Sequence, residues 1–298
     1  MSLVRVRVWH RGEGRNRGIR LLVCVVLAAA VTAATGASAG TAPQVLIIGD
    51  SVATGMLWHA DAVSAMQAEL GVYWQVEICR TTAGISCPFD GERPPTLVEL
   101  VQSMGTVPPI VVVVTGYNDE EDTFPQSIDE AMSAMVGAGA QHVLWLTLHA
   151  ARDPYPDLNQ MLQQATTRWP QLQLVDWNTY STGHTDWFQT DGVHLLEPGG
   201  VAMAHLVHAA VMQLVDPLHV VTVPPHMQAK HVYIFNLKAT GGAPPYKWSV
   251  VRGRPPLGFH LRTNGGVLAT PVRGPHTAFT LAVTDDDGTT ATVQVNAR

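Results

Sequence analysis

The stretch Val45-Leu46-Ile47-Ile48-Gly49-Asp50-Ser51-Val52 decides the fold. Four apolar residues, three of them β-branched, stop at a glycine, an aspartate and a serine. Such a run predicts a strand buried on both faces. A helical stretch follows over residues 52–70. Working outward, the alternation continues. Strands are predicted at 74–78, 110–115, 143–148 and 172–176. Helices are predicted at 95–104, 125–136, 157–169 and 198–214, with prolines near their starts and Gly137 and Gly139 closing one of them. Strands that alternate with helices form a parallel sheet covered on both faces. In such sheets the site lies beyond the carboxyl ends of the strands, which is where Asp50 and Ser51 fall.

After Pro217 the pattern changes. Short alternating runs occupy 232–237, 246–250, 266–269, 278–283 and 290–295, with Pro224-Pro225 as a linker or edge. Gly, Pro and Asp clusters separate the runs, including a hairpin turn at Asp285-Asp286-Asp287-Gly288. The expectation is an α/β domain at 40–216 and a small β-sandwich at 217–298.

Residues 1–39 read as a secretory leader. Six arginines precede an apolar run from Leu21 to Ala34, and Ala37-Ser38-Ala39 supplies small residues for cleavage. The run is shorter than the roughly 20 residues that span a bilayer, so no stable membrane insertion is expected after cleavage. A secreted or wall-associated protein follows. Its remaining cysteines, Cys79 and Cys87, read as a disulfide in an oxidising compartment, against the alternative of two free thiols.

Charge is divided along the chain. Residues 40–216 hold 4 basic and 20 acidic side chains, and residues 217–298 hold 8 basic and 3 acidic. The acidic half argues against nucleic acid or anionic lipid as a partner. The basic half carries Lys230, Lys238, Lys247, Arg252, Arg254, Arg262 and Arg273. It is expected either to dock weakly on an anionic wall polymer or to balance its acidic neighbour. No HExxH and no Cys-His cluster occurs, and no glycine-rich phosphate loop follows a strand, so neither metal nor cofactor is expected.

Three motifs carry chemistry. Ser51 sits between a strand end and a helix start, as a nucleophile or as a helix cap. In Thr190-Asp191-Gly192-Val193-His194, an aspartate three residues before a histidine can accept the Nδ1 proton, leaving the other ring nitrogen as a base. In Gly116-Tyr117-Asn118-Asp119, the Asn118 amide follows a buried strand and can donate to a developing oxyanion. Asp50 and Asp119 read as local caps or as groups that support the site without taking part in the chemistry, and Asp176 as a residue that orders a loop.

The order and spacing of these motifs resemble the SGNH, or GDSL-type, hydrolase family over residues 40–216. The resemblance implies a three-layer α/β/α, flavodoxin-like fold and metal-free esterase or acyl-transfer activity. It makes Ser51 the nucleophile and an oxyanion donor through its N–H, Asn118 a second donor, His194 the base and Asp191 its orienting acid. A third donor is expected from a glycine N–H after the second strand. Gly84, inside the Cys79–Cys87 loop, is the choice, with Gly91 and Arg80 as rivals. The disulfide region, Gly-Tyr-Asn-Asp and Asp186-Trp187-Phe188 resemble an exported actinobacterial branch. Trp187 would roof the acyl pocket or stack on a sugar, or else belong to the core, and Trp58 has the same two readings. Residues 237–283 resemble Ig-like (cadherin-like) repeats of bacterial surface proteins. The expected substrate is a short acyl ester, deacetylated from an extracellular carbohydrate. The competing functions are O-acyl transfer with the same triad and non-catalytic wall binding.

Overall fold

In the computed structural model the described residues are 42–222, 224–225, 227–271, 278–286 and 288–295. The leader, Arg273 and Asp287 lie outside them. Five strands form one parallel sheet: β1 (Gln44–Gly49), β2 (Gly71–Val76), β3 (Ile110–Val114), β4 (His142–Leu146) and β5 (Leu172–Val175), in the order β2-β1-β3-β4-β5. The pairs are parallel throughout, with Val45 opposite both Val72 and Ile110. Every residue of β3 is buried, as its unbroken apolar sequence requires.

The helices are α1 (Thr54–Leu57), α2 (Ala60–Gln67), α3 (Leu97–Met104), α4 (Phe124–Gly137), α5 (Tyr155–Ala165), α6 (Trp177–Ser181) and α7 (Glu197–Val215). One group of contacts joins α1, α2, α6 and α7, and another joins α3, α4 and α5. The result is a three-layer α/β/α arrangement. Thr96 and Glu99 open α3 with a reciprocal capping box, in which each side chain accepts from the other's backbone N–H. Met203, Ala204, Val207 and Val211 place one face of α7 in the core.

The single helix expected over 52–70 is two helices. His59, between α1 and α2, has an extended backbone (φ −108°, ψ 122°). The close approach of α1 to α7 explains the break. A Cβ on Gly200 would lie 2.1 Å from the Gly55 carbonyl oxygen, and one on Gly55 would lie 2.6 Å from the Leu195 Cβ. This packing fixes the direction of α1, and the chain must turn before α2 can lie along α7.

Beyond α7 the chain is antiparallel. It contains β6 (His219–Val220), β7 (Tyr233–Asn236), β8 (Ala239–Thr240), β9 (Lys247–Arg252), β10 (Phe259–Leu261), β11 (Gly266–Ala269), β12 (Phe279–Thr284) and β13 (Thr290–Val295). Two three-stranded sheets, β10-β11-β7 and β13-β12-β9, share a second core built on Trp248, Val267, Phe279, Leu281 and Val283. The rings of Phe259 and Phe279, one from each sheet, meet at 5.2 Å between centroids. Residues 217–222 are not a free linker. β6 pairs with β8, the Gly242 N–H donates to the Asp216 carbonyl at 2.9 Å, and Gln213 Nε2 of α7 donates to Thr289 Oγ at 2.7 Å.

Candidate active site

Strand β1 ends at Gly49, and the Asp50 N–H donates to the Val114 carbonyl at the end of β3. Asp50 turns the chain by accepting the Val52 N–H on Oδ1 at 2.9 Å. Ser51 is therefore delivered at the point where β1 and β3 leave the sheet on opposite sides, the crevice in which such folds bind ligands. Ser51 is not a helix cap. The cap of α1 is Ala53, which offers no side-chain oxygen, and α1 itself has only four residues.

The Ser51 hydroxyl meets His194 instead. Ser51 Oγ lies 2.9 Å from His194 Nε2, and His194 Nδ1 lies 2.6 Å from Asp191 Oδ2. The other Asp191 oxygen accepts the backbone N–H groups of Val193 at 2.9 Å and His194 at 3.0 Å. Burial opposes the charge on Asp191, but the His194 side chain and these two N–H groups outweigh it and lower the carboxyl to about 2. The loop is clamped at its base. Phe188 and Leu195 form a bridge, the Gln189 N–H donates to the His194 carbonyl at 2.7 Å, and the Leu196 N–H donates to the Trp187 carbonyl at 2.8 Å.

Asn118 follows β3 and donates one amide hydrogen to the Arg80 carbonyl at 3.1 Å. A primary amide has a second hydrogen, so a donor remains. The backbone N–H of Ser51 has no protein acceptor among the described residues. Asp119 accepts from the Thr82 N–H and hydroxyl at 3.0 Å and fastens the loop after β2 to the end of β3. Thr82 and Thr115 hydroxyls join the same two segments at 2.8 Å. Asp119 is largely buried, which raises its carboxyl to about 6 despite the Thr82 hydrogen bonds. Asp50 is fully buried, with Oδ2 unpaired, and burial raises it to about 8.

Cys79 and Cys87 are joined as a disulfide. Within its loop Gly84 is exposed, with φ +75°, and lines a cleft of about 460 Å³ with Thr81, Ile85, Arg93, Asn118 and Glu130. Neither Ser51 nor His194 lines that cleft. Gly91 is accounted for otherwise. Asp90 and Gly91, at φ +50° and +81°, are the two central residues of a tight turn closed by reciprocal Phe89–Glu92 hydrogen bonds. Arg80 is buried, and its Nη1 is spent on the Pro95 carbonyl at 2.7 Å.

Trp187 belongs to an aromatic stack with His184 (3.8 Å between centroids) and Trp177 (5.8 Å). Trp58 is 65% exposed, so its core reading is excluded. Asp176 caps α6 by accepting the Thr179 N–H at 3.0 Å. The sequence reading missed His149 and Ser181, whose side chains meet at 2.7 Å. The available signal was position, because His149 follows β4 closely. No group of three or more His, Cys, Asp or Glu residues among the described residues is arranged to hold a metal.

No family model matches the chain. It is 27% identical over 79 residues to the O-acetyltransferase OatA of Staphylococcus aureus, a match covering 26% of this chain and 13% of that protein. It is 27% identical over 176 residues to YrhL of Bacillus subtilis, provisionally named a peptidoglycan O-acetyltransferase, covering 58% of this chain and 24% of that one. The matches thus span less than a quarter of either relative's length. Among solved structures, the esterase EstA from Pseudoalteromonas sp. aligns at 12% identity and a TM-score of 0.44, covering 58% of this chain and 98% of that one. The carbohydrate acetylesterase Est24 from Sinorhizobium meliloti aligns at 15% and 0.42, covering 57% and 99%.

Proposed function

We propose that the protein is a serine esterase of the SGNH type that removes short acyl groups, acetyl above all, from an extracellular carbohydrate. The observation that carries this reading is the continuous chain from Ser51 Oγ through His194 to Asp191. Ser51 attacks the ester carbonyl as its proton passes to His194 Nε2, and the ester C–O bond then breaks as His194 returns that proton to the leaving alcohol. Water, activated by the same imidazole, releases the acid and restores Ser51. The Ser51 N–H and the free Asn118 hydrogen stabilise the oxyanion, each donor worth about 3–4 kcal/mol of barrier. Gly84 is the proposed third donor, on the strength of an N–H that has no acceptor among the described residues. Trp187 is proposed as a wall of the sugar site.

A second reading, O-acyl transfer to a sugar hydroxyl in place of water, is favoured by the likeness to OatA. That likeness also supports export and a place at the cell envelope. Under either reading residues 217–298 act as an Ig-like spacer. Lys230, Lys238, Lys247, Arg252, Arg254 and Arg262 are exposed there and form no ion pair among the described residues, which suits weak docking on an anionic wall polymer.

An active-site serine phosphonate tests the enzyme reading. A stoichiometric adduct on Ser51 is expected, and no adduct would leave only a binding protein. Acetate release measured with and without a saccharide acceptor then separates hydrolysis from transfer.

A further inference from the structure

The loop after β4 is held more firmly than a connection requires. The Leu148 N–H donates to Asn159 Oδ1 at 2.7 Å, the His149 N–H to the Tyr117 hydroxyl at 2.8 Å, and the Ala150 N–H to Asn178 Oδ1 at 2.8 Å. Three side chains from three different segments thus fix three consecutive residues, and His149 is the middle one. Its ring is fixed as well. It stacks on Phe188, at the base of the loop that carries Asp191 and His194, with centroids 4.1 Å apart and planes inclined by 23°. Its Nδ1 lies 2.7 Å from the hydroxyl of the buried Ser181.

The Ser181 hydroxyl decides the tautomer. It lies 2.7 Å from the Trp177 carbonyl and 3.3 Å from the Asn178 carbonyl, both of which only accept. Its single hydrogen goes to a carbonyl, and its lone pair takes a hydrogen from the one neighbour able to give it, His149 Nδ1. Desolvation lowers the pKa of His149 and favours the neutral ring. Nε2 is then a bare lone pair. It has no protein partner among the described residues, yet it is not a buried unsatisfied atom, so it faces open space. His149 also lines a pocket of about 480 Å³, together with His184, Phe188, Gln189 and Gly192. Gly192 directly follows Asp191, so the pocket adjoins the triad loop.

We propose that this pocket is a saccharide subsite in which His149 Nε2 accepts a hydrogen bond from a sugar hydroxyl or acetamido N–H while the exposed His184 ring faces the sugar. The flat face of the His184 ring suits a pyranose, and the single acceptor selects its orientation. The class of ligand rests on the esterase reading; the acceptor pocket does not. His149 is a specificity residue here and takes no part in bond breaking.

The test uses the full chain and chitotriose, which carries both kinds of donor. Binding is measured by calorimetry and by the His149 imidazole resonances, so turnover is not needed. Chitotriose is expected to shift those resonances, His149→Phe to weaken binding about tenfold or more, and His149→Gln, whose amide oxygen reaches the Nε2 position, to recover part of it. Unmoved His149 resonances, or equal affinity in a folded His149→Phe protein, would overturn the proposal. Hydrolysis of 4-nitrophenyl acetate is followed in parallel. Its absence from the native protein would sink the esterase reading alone.

Discussion

Asp191 holds His194 twice: Oδ2 meets the ring at Nδ1, 2.6 Å away, and Oδ1 takes the same residue's backbone N–H at 3.0 Å. One carboxylate therefore sets both the tautomer and the loop. The two roles come apart in mutants. Asp191→Asn keeps an oxygen for the Val193 and His194 N–H groups but presents N–H to the ring. Esterase kcat should fall by about four orders of magnitude with little change in melting temperature. Asp191→Ala loses both roles, so kcat and the melting temperature should fall together. Equal melting of the two variants would show that the backbone contacts are idle.

Ionisation of the buried carboxyls gives stability an unusual slope with pH. Asp50 is raised to about 8 and Asp119 to about 6, from 3.8 when unfolded. Between those values the native state binds more protons than the unfolded chain, so stability falls as pH rises. Each group costs up to about 1.4 kcal/mol per pH unit in its window. Asp191 is lowered to about 2, so its contribution is present above the unfolded value and is lost only as pH drops through about 2. Denaturant melts from pH 4 to 8 should show the decline, and Asp50→Asn, which keeps the Val52 N–H acceptor, should flatten it. An unchanged slope in that variant would remove Asp50 as the source.

Two helix glycines should respond in opposite senses to alanine. A Cβ on Gly200 would meet the Gly55 carbonyl at 2.1 Å, whereas one on Gly137 would meet nothing within 4 Å. Gly200→Ala should destabilise by about 1–3 kcal/mol and lower activity, because α1 begins three residues after Ser51. Gly137→Ala should gain up to about 1 kcal/mol with kinetics unchanged. Thermal melts and ester kinetics on the pair check both.

Opening the Cys79–Cys87 bridge releases a loop closed over eight residues. Replacing both cysteines by serine should cost about 2.5 kcal/mol. The Thr82–Asp119 and Thr82–Thr115 bonds remain, so the loop should stay attached to β3 and activity should survive at reduced stability. Complete loss of activity in a folded variant would mean that the bridge itself shapes the site.

The sheet and the Asp191–His194 pair were legible because both are local in sequence. β3 is an apolar run, and Asp191 and His194 are three residues apart. What escaped depended on distant partners. The break at His59 comes from Gly55 of α1 meeting Leu195 and Gly200, far along the chain, so 52–70 alone does not encode it. The short strands His219–Val220 and Ala239–Thr240 exist only because they pair with each other. His149 was passed over, because its partners Ser181 and Phe188 lie more than 30 positions along the chain. Gly84 and Trp187 were chosen by position. The cleft with Asn118 and the aromatic stack now give each a setting, without bringing either to the Ser51 hydroxyl.

Ser51 and His194 stand 143 positions apart, one after the first strand and the other just before the last helix of the α/β layer. Closing so long a loop costs only logarithmically in its length, and the docking of α7 on α1 and α2 supplies the return. The order has a consequence for biosynthesis. On the esterase reading, a growing chain that has not yet reached His194 carries its nucleophile without a base. On that reading reactivity arrives late, with the segment that completes the α/β layer, and a chain arrested before His194 is chemically silent.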